Sequence, residues 1–298
     1  MEEKMISKSQ LTMTFVLLAW FGFPAPAHAQ ATFEKIKSRG QISVGYREDA
    51  APFSYHDDQK KAIGYSIDFC AAVVAQLASR LDLKTLRINM VPLAIDRVMT
   101  FVRDGSVDLL CTGTSDSPDR RAQASFSKPI YLDGVGVMVR KKDGITSLKQ
   151  LDGKHVSFIK ASTAGAALDV QRATTAMSLK TDPALNADAA FSQLQLGWVQ
   201  GYARDKVLLA MQLASLTDAD QYMLLPERLS TEAIAIAFRR DDVQMQALVD
   251  GVIAEMAASG KAKALHDKWF VGPIPLYKQR KALGLPMSPE LKAALDTR

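Results

Sequence analysis

The sequence predicts an α/β protein of two lobes joined by two crossover strands. Three observations predict it. Strand-like and helix-like stretches alternate along almost the whole chain, with no internal repeat and no low-complexity segment. Two apolar, extended runs each end in basic residues: Gly134–Arg140 (GVGVMVR) and Ala233–Arg240 (AIAIAFRR). The interval between them carries its own strand and helix pattern. An inserted lobe explains this layout, with residues 30–132 and 241–298 in one lobe and 135–235 in the other.

Taken in order, residues 1–29 read as an export signal. Lys4 and Lys8 are offset by Glu2 and Glu3, and Leu11–Phe23 is apolar but too short to span a bilayer comfortably. Pro24 and Pro26 break it, and Ala27-His28-Ala29 is a small-x-small cleavage site, which places cleavage after Ala29. No cysteine lies near that point, which argues against a lipid anchor. Gln41–Tyr46 alternates like a strand, and Tyr65–Leu81 has helical apolar spacing. Leu86–Val91 is a strand, Ile95–Arg103 a short helix stopped at Gly105, and Val107–Cys111 a strand. In the inserted part Val156–Ile159 is a strand, and Ala164–Ala176, Ala187–Leu196 and Asp205–Leu216 are helices. Val243–Ala258 and Lys261–Trp269 complete the helical set.

Bulk properties narrow the function. The formal charge of +5 is mild and its lysines and arginines are scattered, which excludes a nucleic-acid tract and admits anionic solutes. His56, His155 and His266 lie far apart without metal-ligand spacing, and no nucleophile elbow or phosphate loop is present. No metal, cofactor or catalysis is therefore expected. Cys70 and Cys111 reach an oxidising space after export; a disulfide and two buried thiols both remain open.

The most informative stretch is Thr112–Tyr131, TGTSDSPDRRAQASFSKPIY. Small residues at Thr112, Gly113, Thr114 and Ser115 let backbone N–H groups approach a ligand. A turn opening a helix offers unpaired N–H donors to an anion, and Arg120 stands where two parallel hydrogen bonds can close on a carboxylate. The segment reads as a socket for one small carboxylate.

These residues, with VGYREDAAPFSYHD (44–57), GYSIDFC (64–70), DRVMTFVRDGSVDLLC (96–111) and KWFVGPIP (268–275), resemble the periplasmic solute-binding proteins of polar amino-acid ABC importers, above all the glutamate/aspartate-binding branch. The resemblance covers essentially the whole chain after the signal. It implies the two-lobed type II periplasmic binding protein fold, a periplasmic monomer, a free amino acid as ligand with an acidic side chain, and a membrane ABC permease as partner. It implies that Arg120 and Ser115 bind the ligand α-carboxylate, and that Ser162 and Thr163 in KASTAG (160–165) bind it from the second lobe. A plain helix N-cap competes for those two. Asp205 resembles the acid that pairs with the ligand ammonium, with the Gly113 carbonyl as second partner. N-capping of the helix that Asp205 opens is its competing role.

Arg47 and Arg97 resemble the arginines that read a side-chain carboxylate. Two departures stand out: Gly113 replaces an expected serine, and Ala187 an expected histidine near that carboxylate. Phe53 and Tyr55 line either the cleft or the core. The fold also hosts cyclohexadienyl dehydratases, which act on prephenate-like acids; no additional general acid matched to that task is evident.

Overall fold

The computed structural model describes residues 27–276 and 279–296. The predicted export signal lies outside the described residues except for Ala27–Ala29, which begin a helix running to Arg39.

Two five-stranded sheets form the two lobes. The first has the strand order Arg87–Pro92, Gln41–Tyr46, Leu109–Leu110, Ala237–Arg239, Ala124–Phe126. Its first three strands are parallel, and Ala237–Arg239 runs antiparallel to its neighbours. The second has the order Lys180–Ala184, His155–Ile159, Gly201–Asp205, Val135–Arg140, Tyr222–Leu224. Between the sheets, Tyr131–Asp133 pairs antiparallel with Glu232–Ile234.

The second predicted crossover run is divided between Glu232–Ile234 and Ala237–Arg239, whereas the first stays whole as Val135–Arg140. Val135–Arg140 belongs to the second sheet and Ala237–Arg239 to the first, and a three-residue ladder at the crossovers joins them. Gly134 stands between Tyr131–Asp133 and Val135–Arg140. A Cβ there would lie 1.9 Å from the Ser230 carbonyl oxygen, so only glycine lets the two crossover chains approach this closely.

The first-lobe core forms because helical spacing gathers apolar side chains on one face. Tyr65–Arg80 buries Tyr65, Phe69, Val73 and Leu77 and packs against Val243–Ala258, which buries Met245, Leu248, Val249, Val252 and Ile253. Each such side chain contributes roughly 1.5–3 kcal/mol by leaving water. Phe53 and Tyr55 belong to this core. Phe53 is edge-on to Tyr131 and Phe270, and the Tyr55 hydroxyl donates to the Pro275 carbonyl at 2.7 Å. Cys70 and Cys111 form a disulfide that ties this helix to the sheet. Closing a loop of 41 residues is worth about 4 kcal/mol of lost unfolded-state entropy.

The helix expected at Asp205–Leu216 spans Lys206–Ser215, because Asp205 ends the strand Gly201–Asp205. The run Val107–Cys111 supplies a strand of two residues only. Lys261–Trp269 divides into a helix to His266 and a wider π turn, Asp267–Val271. Lys180–Ala184, an edge strand, escaped the sequence reading because it is largely polar and carries Pro183, which is tolerated only at an edge.

Candidate functional site

The 112–120 segment is stitched to the second crossover where the lobes meet. The Asp116 N–H donates to the Ala233 carbonyl at 2.8 Å, the Ala235 N–H donates to the Thr114 carbonyl at 3.1 Å, and Ser115 bridges Ile234. The helix that follows, Pro118–Arg121, has only four residues. It is too short to lend a useful dipole, so anion binding here falls to loop amides and the Arg120 guanidinium. That guanidinium donates from Nη1 to the Ser115 carbonyl at 3.0 Å and from Nη2 to the Ala161 carbonyl of the other lobe at 3.4 Å. Burial pushes the Arg120 pKa down, while Asp205 and Glu232 oppose that effect.

Gly113 is required by packing. A Cβ there would stand 2.6 Å from the Phe53 ring, which is fully buried among other aromatics and has nowhere to move. The missing serine side chain thus has a structural cause.

From the second lobe, Ser162 and Thr163 approach Arg120 across a cavity of about 510 Å³. Their hydroxyls are already engaged. Ser162 Oγ donates to the Ile159 carbonyl at 2.7 Å and accepts from the Ala164 N–H at 3.3 Å, the local turn role that competes with ligand contact. Thr163 Oγ1 donates to Glu232 Oε2 at 2.8 Å.

Asp205 stands at the N-cap position just before the Lys206–Ser215 helix but does not cap it with its side chain. Asp133, on the first crossover strand, does so instead: its Oδ2 accepts from the Val207 N–H at 3.0 Å. The Asp205 carboxyl is left with a buried Oδ1 that has no hydrogen-bond partner among the described residues. Burial and the nearby Glu232 push its pKa up to about 6, against the pull of Arg204, Arg120 and Arg47. Asp133 is pushed to about 7 by burial and by Asp205. A buried, unpartnered carboxylate beside an arginine is suited to a charged donor such as an ammonium.

Arg47 follows the strand Gln41–Tyr46 and is buried. Its Nε and Nη2 donate to Asp49 Oδ1 and Oδ2 at 2.9 and 2.7 Å. Arg204, from the second lobe, donates through Nη2 to the Asp49 carbonyl at 2.7 Å and lies 3.7 Å from its carboxylate. Burial raises the Asp49 pKa, but the two arginines outweigh it and hold the carboxyl below its usual range. Arg97 stands apart from this cluster. It is exposed, its guanidinium lies 5.7 Å from the Phe101 ring centroid, and it makes no ion pair among the described residues.

The structure thus brings Arg47, Ser115, Arg120, Ser162, Thr163 and Asp205 to the seam of the lobes, with Gly113 beside them, and leaves Arg97 at the rim. Sequence reasoning missed Asp49, Asp133, Arg204 and Glu232. Glu232 carried a usable signal, being the lone charge in a strand-like run (TEAIAIAF).

The sequence profile of the bacterial extracellular solute-binding proteins, family 3, matches residues 42–272. The chain belongs to this family. The glutamate/aspartate import solute-binding protein of Escherichia coli (strain K12) is 31% identical over 269 residues, covering 90% of this chain and 88% of that protein. The L-glutamate/L-aspartate-binding protein of Pseudomonas aeruginosa is 29% identical, covering 95% and 93%. Among solved structures, an ancestral arginine-binding protein bound to arginine superposes with a TM-score of 0.68 at 25% identity, covering 78% of this chain and 99% of that one. Family 3 members bind free amino acids for ABC import, and the seam described above lies between the lobes of this solute-binding protein. No helix among its described residues is long and apolar enough to cross a membrane.

Proposed function

We propose that this family 3 protein binds a free acidic amino acid, glutamate or aspartate, in the periplasm and passes it as a monomer to a membrane ABC permease, without chemical turnover. The observation that carries the reading is the unpartnered Asp205 Oδ1 beside Arg120, opposite charges at one buried seam. Arg120 would take the ligand α-carboxylate with Ser115, Ser162 and Thr163, and Asp205 the ammonium with the Gly113 carbonyl. Arg47 would face the side chain, and Arg97, exposed at the rim, would stay outside that contact. The names of the E. coli and P. aeruginosa relatives support an acidic ligand. Contacts from both lobes favour closure, because a ligand stabilises whichever arrangement it binds better.

Calorimetry and thermal unfolding with glutamate, aspartate and glutamine test this. Ligand at a hundred times its Kd adds about 2.7 kcal/mol of apparent stability. Arg120→Ala is expected to abolish binding of all three. Equal affinity for glutamine and glutamate refutes the acidic preference. An aromatic product from prephenate or arogenate refutes the binding-only role.

A further inference from the structure

The charged groups at the seam form two clusters that Asp205 links, since it feels Arg204 and Arg47 as well as Arg120. Arg120, Asp205 and Glu232 act on one another. Arg47, Asp49 and Arg204 form the second set, in which one carboxylate meets two guanidinium groups. A guanidinium has two edges that accept a carboxylate, one through Nε and Nη2 and one through Nη1 and Nη2. Asp49 occupies the first edge of Arg47. Nη1 takes no partner among the described residues, so the second edge is held in place and free. The set carries a net charge of +1 only because Arg204 is present, since Arg47 and Asp49 alone cancel. Arg204 is buried and comes from the opposite lobe, so that surplus charge is completed only when the lobes meet. It also lines the same cavity of about 300 Å³ as Ala187, the position at which the expected histidine donor is missing.

We propose that Asp49 and Arg204 are specificity-determining positioning residues: Asp49 braces Arg47 so that its free edge faces the ligand side chain, and Arg204 supplies the positive charge that makes this edge select a carboxylate. Arg97 is peripheral to the selection. The inference rests on the amino-acid-binding reading above and deepens it. A carboxylate side chain adds a counter-charge to the two guanidinium groups that share Asp49, whereas the isosteric amide adds none.

The experiment is the ratio of glutamate to glutamine affinity, measured by calorimetry on the full mature protein and on four variants. Arg204→Met should lower the ratio at least tenfold while glutamine affinity changes less than about threefold. Arg204→Lys should keep most of the ratio. Asp49→Asn combined with Arg204→Met restores the net charge of +1 through Arg47 and leaves an amide oxygen to accept from its guanidinium, so the acid preference should recover in part, a rescue that a merely structural role would not produce. Arg97→Ala should leave the ratio within threefold. An acid preference that survives Arg204→Met, or that the double variant fails to recover, overturns this inference alone. An unmodified protein that binds no free amino acid overturns the function and this inference together.

Discussion

Replacing Asp205 by asparagine is expected to make the ligand-free protein more stable while destroying its binding. The magnitude follows from the carboxyl's surroundings. Its pKa is moved from 3.8 to about 6 by burial and by Glu232, and at 1.36 kcal/mol per pKa unit ionising it in the folded chain costs on the order of 3 kcal/mol. The sign is set by linkage. The native state binds the proton more tightly than the unfolded chain, so stability is greatest below about pH 4, falls as pH rises to about 6, and is flat above that. Asparagine has no charge to bury. At pH 7.5 the variant should therefore unfold roughly 5–10 °C higher than the parent without ligand, and its stability should fall less than the parent's between pH 4 and 6, the remaining fall coming from Asp133. In calorimetry the same variant should show no amino-acid binding, because the ammonium loses its counter-charge. Thermal and urea unfolding from pH 4 to 8 supply the stability arm. A variant less stable than the parent at pH 7.5, or one that keeps the parent's affinity, refutes the view that Asp205 is a binding group maintained against stability.

Other consequences can be checked on single variants. Asp133→Asn should also flatten the stability profile between pH 4 and 7, since burial raises this carboxyl to about 7. It should leave ligand affinity within threefold, which separates a hinge group from a ligand group. Gly113→Ser should cost about 1–3 kcal/mol in urea unfolding, the usual range for overpacking, because the new Cβ meets the buried Phe53 ring at 2.6 Å. Cys70→Ser with Cys111→Ser should lower stability by about 2–4 kcal/mol, and a reductant should reproduce the loss in the parent.

Much of this fold is legible in the sequence because burial imposes period. The faces of Tyr65–Arg80 and Val243–Ala258 are written in apolar spacing, and Ala187–Leu196 coincides with its expected bounds, with Asn186 capping it. Lys180–Ala184 was illegible because an exposed edge strand has no apolar alternation to read. The candidate site was legible wherever function needs a residue type in a local pattern: Ser115 with Arg120, the small residues around Ser162, and Asp205 where a strand meets a helix.

The choice between competing roles was not local. The Asp205 carboxyl is left uncommitted to the helix because Asp133, 74 residues from Val207, accepts that N–H in its place. Arg47 is braced by a neighbour two residues on, yet its net charge depends on Arg204 from the opposite lobe. By itself the sequence determined the α/β class and the two crossovers, since these follow from short-range patterns of polarity and size. Only the tertiary structure decided the cysteine pairing, the exposure of Arg97 and the partners of each charge. Those depend on distances between segments that sequence order leaves unrelated: packing energies fall off within a few ångströms, and charge interactions weaken with distance and are screened by salt.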